Sequence, residues 1–254
     1  MALNDHRSGT ATRPLDGGPV RRAMILAAGL GTRMRPLTES RPKALVPLAG
    51  RPLVDRVLDH LARAGIERVV VNVHAHADRL IAHLAARAEG PEIVISDERA
   101  QLLDTGGGIR HALPLLGRDP VFVVNVDAVW SDGPTNTLAR LAARWDPATM
   151  DALMLVVPTS AARGYSGRGD FLMDAMGRLE RRAERRLAPF VFSGIQILDP
   201  ELVAAIPDRV FPLTRAWRGA LERGRLYGLV HDGRWAHVGT PAAVELVERG
   251  GLGS

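Results

Sequence analysis

AMILAAGLGTRMRPLTESRPKALVPLAGRP, residues 23–52, decides how the rest of the chain is read. Ala23 to Ala28 is an apolar run of strand length. It breaks at Gly29-Leu30-Gly31-Thr32-Arg33, where two glycines let the backbone turn sharply and approach a ligand. Successive N–H groups in such a turn form an anion-binding concavity. Arg33 and Arg35 add positive charge, and the planar guanidinium fork suits phosphate. Lys43 follows. The chain holds 33 Lys plus Arg, and Lys43 is its one lysine, so 33 − 1 = 32 are arginines. An ammonium is a compact point charge that the fork does not reproduce. A lone lysine beside a glycine-rich loop reads as a phosphate ligand, by analogy with the P-loop lysine. The plain alternative is a chance survivor of composition bias.

Composition bounds the rest. A length of 254 residues suits one large domain, and 46% hydrophobic content suits a sizeable core. The formal net charge of +5 is spread among 28 acidic residues, and aromatics are only 4%, which disfavours nucleic acid as a partner. There is no cysteine, so disulfides, thiolate catalysis and Cys-bound zinc are excluded. No apolar run has membrane-spanning length. Residues 1–20 are polar, carry Gly and Pro, and lack a signal-peptide core. They read as a disordered tail ahead of a single domain over 21–254, in a cytoplasmic protein.

Past the loop, apolar spacing predicts alternating helices and strands. Helices fall over Pro52–Ala64, Asp78–Arg87, Thr105–Leu116 and Asn136–Arg144. Strands fall over Arg68–Val73, Ile93–Ile95, Val121–Val126 and Ala152–Val157. That alternation implies an α/β fold with a mostly parallel central sheet and helices on both faces. Ligands in such folds bind beyond the carboxyl ends of the strands, where Gly29 and Asp127 sit. The second half reads as a hairpin over Asp170–Met173 and Arg178–Arg181, a long strand Phe190–Leu198, helices Pro200–Ile206 and Thr214–Arg223, and short strands Arg225–Val230 and Trp235–Val238. Pro241–Arg249 closes it as a helix capped by Thr240.

Asp127 ends the strand VFVVNVD. A carboxylate there suits Mg²⁺, which takes one or two carboxylates plus substrate phosphates; a turn or helix-capping Asp is the plain reading. Thr105-Gly106-Gly107-Gly108 offers backbone for close approach to a base or sugar, or simply a turn. His74, His76 and Asp78 form an HxHxD run like that of metal-dependent hydrolases, although Arg79 stands where a second His is expected after the Asp. A polar turn entering a helix is the simpler account.

The loop is neither G-x-G-x-x-G, which fails at Met34, nor a Walker sequence. LAAGLGTRMRPLT followed by PKALVPLAGRP resembles the sugar-1-phosphate nucleotidyltransferases, whose signature reads LAAGxGTRxxPLT and then PKxLxPVxGxP. LLDTGGGIRHALPLLG, GRGDF at 167–171 and FSGI at 192–195 are similar to the branch that activates N-acetylmuramate 1-phosphate with UTP. The resemblance covers about Ala23 to Arg249. It implies a Rossmann-like nucleotidyltransferase fold and attack of a sugar phosphate oxygen on the α-phosphorus of UTP, with pyrophosphate leaving, in peptidoglycan recycling. Mannose-1-phosphate guanylyltransferase is the alternative within the class, and a non-catalytic nucleotide-sugar sensor the alternative outside catalysis.

The resemblance also implies the site. Arg33 and Lys43 would be catalytic, and Leu26, Ala27, Ala28, Gly29, Gly31, Thr32 and Thr105 to Gly108 would bind nucleotide. Gly169, Asp170, Ser193 and Gly194 would face the sugar. Glu184 and Arg185 stand where relatives carry a Glu-Lys pair facing the sugar phosphate, or are solvated charges in the run RRAERR. Asp127 would hold the metal, Mg²⁺ or alternatively Mn²⁺. Val126 takes the place of a common glycine before it. Relatives read W-x-D-x-G-T near the C-terminus, where this chain has Trp235-Ala236-His237-Val238-Gly239-Thr240. His237 therefore stands at the second metal position. It either ligates the metal, favouring Mn²⁺ or Co²⁺, or hydrogen-bonds a water or a phosphate while Asp127 alone anchors Mg²⁺, or is purely structural.

Overall fold

Alternating side chains of the central strands sort into two cores, one on each face of a sheet. Ala23 and Ile25 point into one core and Met24 into the other. Val69 and Val71 likewise oppose Val70, and Phe122 and Val124 oppose Val121 and Val123. A period of two along a strand buried on both sides produces this division.

The computed structural model describes residues 20–251. The expected tail over 1–20 lies outside them except for Val20, which is buried. Strands β1 (Arg22–Leu26), β4 (Arg68–Val73), β5 (Glu92–Asp97) and β6 (Val121–Asn125) form a parallel block in the order β6-β1-β4-β5. Two-residue strands β2 (Pro47–Leu48) and β3 (Arg51–Pro52) make a small hairpin before the first helix. Helices α1 (Leu53–Arg63) and α2 (Ala77–Ala85) cover one face of the block, through Val57, Leu58, Leu61, Leu80 and Leu84. Helix α3 (Asp104–Leu116) covers the other through Ile109, Ala112 and Leu116.

Beyond β6 the direction changes. Strand β7 (Ala128–Ser131) leaves the sheet, and helix α4 (Thr137–Arg144) follows, capped by Asn136, whose side chain accepts from the Ala139 amide. Strand β8 (Ala152–Pro158) is followed by the hairpin β9 (Phe171–Met173) and β10 (Leu179–Arg181), then β11 (Phe190–Leu198). Strand β11 runs antiparallel to both β6 and β8 and joins the hairpin to the sheet at Phe190. Helices α5 (Glu201–Ala204) and α6 (Leu213–Glu222) pack on the α3 side, and β12 (Leu226–Val230) pairs parallel with β8. Strand β13 (Arg234–His237) pairs with β7, placing His237 opposite Ala128. Helix α7 (Pro241–Arg249) ends the described chain, and Thr240 caps it by accepting from Ala243.

The α/β expectation holds, with helices on both faces and a parallel centre. Two features went unread. Ala128–Ser131, to which the sequence pattern assigns no element, pairs with β13, and the β2–β3 hairpin is hidden in a proline-rich run. Pro52 precedes α1 rather than opening it. No helix among the described residues is long and apolar enough to cross a membrane.

Candidate active site

Strand β1 delivers the chain to the loop, and a buried amide holds the loop in place. The amides of Ala27 and Ala28 donate to Asn72 Oδ1 at 2.6 and 3.2 Å. Asn72 Nδ2 donates in turn to Glu98 Oε1 at 2.8 Å, and Glu98 Oε2 accepts from the Leu103 amide at 3.3 Å. Asn72 and Glu98 are both buried. Unpaired amides at this depth would be costly, so the network fixes where the loop leaves the sheet.

Gly29 and Leu30 are exposed. Gly31 has φ +65°, and Thr38 Oγ1 donates to its carbonyl at 2.8 Å. A Cβ at Gly31 would lie 3.0 Å from Thr38 Cγ2, so both conformation and space require glycine there. A Cβ at Gly29 would meet nothing, which leaves the outer side of the loop open. A 3₁₀ turn, Thr32–Met34, buries Met34 and leaves Thr32 and Arg33 outside. Residues 29–34, Lys43 and Gly239 line a cavity of about 300 Å³.

Lys43 opens a second 3₁₀ turn, anchored by buried Ala44. Its Nζ donates to Asp127 Oδ2, from 84 residues away. His237 Nε2 lies 3.0 Å from the same oxygen, from 110 residues away. Asp127 is buried. Burial alone would raise its carboxyl pKa. The hydrogen bond from His237, the charge of Lys43 and the bond from Lys43 together hold it well below the usual carboxylate range. Asp127 is therefore an anion at every pH where the protein would work.

The imidazole of His237 is oriented from several sides. Its backbone N–H donates to the Arg163 carbonyl at 3.2 Å. The ring stacks beside Trp235, with centroids 6.4 Å apart and planes 11° apart. A Cβ at Gly239 would come within 2.6 Å of the ring, so glycine makes room for it. Trp235 Nε1 donates to the Ser193 carbonyl at 2.9 Å, tying β13 to β11.

Asp127 and His237 also line a second cavity, of about 320 Å³. Its walls include Tyr165, Asp170, Arg181, Phe192, Ser193, Gly194 and Trp217. Gly194 has φ +87° at an irregularity in β11, and a Cβ there would lie 3.1 Å from Asn125. Asp170 Oδ2 accepts from the Phe192 amide at 2.9 Å. Gly169 has φ +76°, and its amide donates to the Tyr165 hydroxyl at 3.0 Å. Burial and the charge of Asp170 push the Tyr165 phenol up, so it stays neutral.

Some expected residues stand elsewhere. Gly106, Gly107 and Gly108 are buried inside α3, not displayed at its start. The amides of Gly106 and Gly107 donate to the Phe211 carbonyl at 3.0 Å, and a Cβ at Gly106 would strike the Phe211 ring. A Cβ at Gly108 would lie 2.7 Å from Glu98 Oε1. Here the glycines let α3 pack against 209–211 and the Asn72–Glu98 pair. Thr105 is exposed, and its hydroxyl accepts from the Leu213 amide at 2.8 Å. Glu184 and Arg185 are exposed and outside the cavity wall, which takes Arg181 and Arg182 from the same run. His74, His76 and Asp78 form no ligand cluster: His74 Nδ1 meets the Glu98 carbonyl at 2.7 Å, and Asp78 pairs with Arg99. No group of three or more metal-ligating side chains occurs among the described residues.

Sequence reasoning missed Asn72, Glu98, Tyr165 and Trp217. Asn72 had a signal, being the one polar residue between the valines of RVVVNV. Trp217 had none, because a tryptophan at helical spacing reads as core.

Residues 23–232 match the model of the MobA-like NTP transferase domain. The chain is 48% identical over 224 residues to N-acetylmuramate alpha-1-phosphate uridylyltransferase of Caulobacter vibrioides, covering 87% of this chain and 93% of the relative. It is 38% identical to the protein of the same name from Neisseria meningitidis serogroup B, covering 86% and 93%. Among solved structures, a UDP-glucose pyrophosphorylase complexed with UDP-glucose superposes with a TM-score of 0.76 at 16% identity, covering 91% of this chain and 98% of that one. At that identity the likeness is one of fold.

Proposed function

This chain belongs to the MobA-like NTP transferase family and, within it, to the sugar-1-phosphate nucleotidyltransferases, and from that premise we propose that it makes UDP-N-acetylmuramate and pyrophosphate from UTP and N-acetylmuramate 1-phosphate. The observation that carries the reading is the meeting of Lys43, Asp127 and His237 where the glycine-loop cavity adjoins the second cavity. A triphosphate on the loop and a sugar phosphate in the second cavity would meet at that point.

The loop amides from Gly29 to Thr32, with Arg33, bind the departing phosphates. Lys43 moves from Asp127 to the space between the sugar phosphate and the α-phosphate, offsetting their repulsion as they close. The sugar phosphate is already ionised, so no general base is required. Catalysis is then positioning and charge neutralisation, as in other phosphoryl transfers.

The site's donor set fits a hard divalent cation. Asp127 is a buried, ionised carboxylate whose hydrogen bonds to Lys43 and His237 both end on Oδ2. Mg²⁺ is commonly held by one carboxylate with phosphates and water completing the shell. Bound there, it would neutralise charge developing on the α-phosphate. His237 Nε2 lies 3.0 Å from Asp127 Oδ2, which supports the reading in which the histidine positions the carboxylate while Asp127 anchors the metal. Mannose 1-phosphate and GTP are disfavoured by the two uridylyltransferase relatives. The test is pyrophosphate release across a matrix of nucleoside triphosphates and sugar 1-phosphates. The highest specificity constant is expected for UTP with N-acetylmuramate 1-phosphate. A preference for GTP with mannose 1-phosphate would overturn the substrate while leaving the reaction class.

A further inference from the structure

Strand β10 carries a charge on an unexpected face. Leu179 and Arg181 are two residues apart, so their side chains leave the strand on the same side. Leu179 is buried in the core. Arg181 pairs with Phe171, which is also buried, and residues opposite each other across a ladder share a face. Arg181 thus extends from an apolar face onto the wall of the second cavity. Its guanidinium has no hydrogen bond or ion pair among the described residues, whereas those of Arg178 and Arg182 are engaged. Arg182 donates to the carbonyls of Gly169, Ala183 and Arg186, and Arg178 to Tyr227.

Location narrows what this cation meets. Its hairpin joins β11 at Phe190, whereas β6, which Asp127 follows, joins β11 at Ile195–Leu198. The phosphate of the sugar must lie near Lys43 and Asp127 for transfer to occur. Arg181 enters the same cavity from the β9–β10 hairpin and not from the β6 end that carries Asp127, so it faces another part of the sugar. N-acetylmuramate differs from N-acetylglucosamine by one group, a lactyl ether on carbon 3. That group ends in a carboxylate and is attached two ring positions from carbon 1.

We propose that Arg181 is the specificity-determining residue that pairs with the lactyl carboxylate of N-acetylmuramate 1-phosphate. The assignment rests on the substrate named under the proposed function. A planar fork matches a carboxylate in two parallel hydrogen bonds. Asp170 stands on the same wall, and its carboxylate is hydrogen-bonded to the Phe192 amide. It would accept from a sugar hydroxyl or amide and would repel a carboxylate placed there, so the lactyl group is directed toward Arg181. Trp217 is held beside the cavity by its bond to Gln196 Oε1 at 3.0 Å and by edge contact with Phe192, and offers an apolar face to the ring.

The experiment measures kcat/KM for N-acetylmuramate 1-phosphate and N-acetylglucosamine 1-phosphate, with UTP, in wild type, Arg181→Met and Arg181→Lys. Wild type should prefer the lactyl sugar. Arg181→Met should lose roughly ten- to a hundredfold on that sugar, the range for a charge-assisted hydrogen bond, and far less on the other, so the preference collapses. Arg181→Lys should recover part of it. Affinity for UDP-N-acetylmuramate against UDP-N-acetylglucosamine, measured by calorimetry, should move in parallel. Equal losses on both sugars would mean that Arg181 serves the phosphate or the fold, and would overturn the inference alone. So would a preference that survives Arg181→Met. A wild type with no preference for the lactyl sugar would overturn the proposed substrate and the inference with it.

Discussion

The glycine-loop cavity takes seven of its eight lining residues from positions 29–43, whereas the cavity beside it collects residues from Asn125 to His237. The first is mostly exposed backbone on a buried frame, and the second is side chains on strands and a hairpin. A triphosphate is the same for every substrate of a given reaction class, so one contiguous turn can bind it with N–H groups. A sugar must be told from other sugars, and that takes side chains brought from several elements. Asp127 lines the second cavity and bonds to Lys43 of the first, so the comparison can be tested from either side.

The sharpest way to break it is Lys43. If the loop side supplies charge neutralisation common to all substrates, Lys43→Ala should lower turnover by roughly a hundred- to a thousandfold, about 3–4 kcal/mol, with every sugar phosphate alike. UTP affinity should fall much less. Lys43→Arg should restore only part of the rate, because a fork is not a point charge. Steady-state kinetics with direct measurement of UTP binding separates the two effects. Near-normal turnover of Lys43→Ala would sink the mechanism.

Asn72 tests the frame beneath the loop. Asn72→Leu leaves two buried amides, Ala27 and Ala28, without their acceptor and takes a donor from Glu98. The expected loss is about 2–3 kcal/mol of folding stability, read from urea unfolding, with a fall in turnover that is independent of the sugar. A loss confined to one sugar would contradict the division between the cavities.

This contrast also explains what the sequence revealed. The loop, Lys43 and the Asp127 strand end could be read because their residues are neighbours, and apolar alternation located the strands under them. The three glycines at 106–108 were visible, but sequence does not show what a glycine faces; here a Cβ at Gly106 would meet Phe211 and one at Gly108 would meet Glu98. In RRAERR, composition could not distinguish Glu184 and Arg185, outside the wall, from Arg181 on it. That choice depends on the register of β10 against β9, which pairing fixes and sequence leaves open.

The seam between the two regions offers a smaller, pH-dependent test. His60 on α1 stacks on Trp130 of β7, with centroids 4.0 Å apart, and β7 pairs with the strand that carries His237. Burial, and next the charge of Arg63, lower the His60 pKa to about 4 from 6.5. The unfolded chain therefore takes up this proton first as pH falls. Stability contributed by neutral His60 is full above about 6.5 and is lost as pH drops toward about 4. His60→Phe keeps an aromatic stack and removes the ionisation. Between pH 7 and pH 4.5 wild type should lose about 2 kcal/mol more than His60→Phe in urea unfolding. Equal losses would place the acid sensitivity elsewhere.

His237 gives the smallest expected effect and the finest division of labour. It stands where the sequence resemblance leads one to expect aspartate. Its Nε2 meets Asp127 Oδ2 at 3.0 Å, and its ring is confined by Trp235 and by the missing side chain of Gly239. An Nε2 that donates to a carboxylate has no lone pair for a metal, so wild type should work well with Mg²⁺ through Asp127 alone. His237→Asp puts a second carboxylate beside the first. Without metal the two repel, and Lys43 must serve both. With metal the added oxygen improves a hard-cation site, so the apparent Mg²⁺ requirement should fall about tenfold, worth roughly 1.4 kcal/mol. Turnover at saturating Mg²⁺ should change little. Titration of activity with Mg²⁺ and with Mn²⁺, in wild type and His237→Asp, separates the cases. A wild type inactive with Mg²⁺ but active with Mn²⁺ would mean that His237 turns its Nε2 from Asp127 to the metal. The histidine would then belong to the metal site and not to the carboxylate's support.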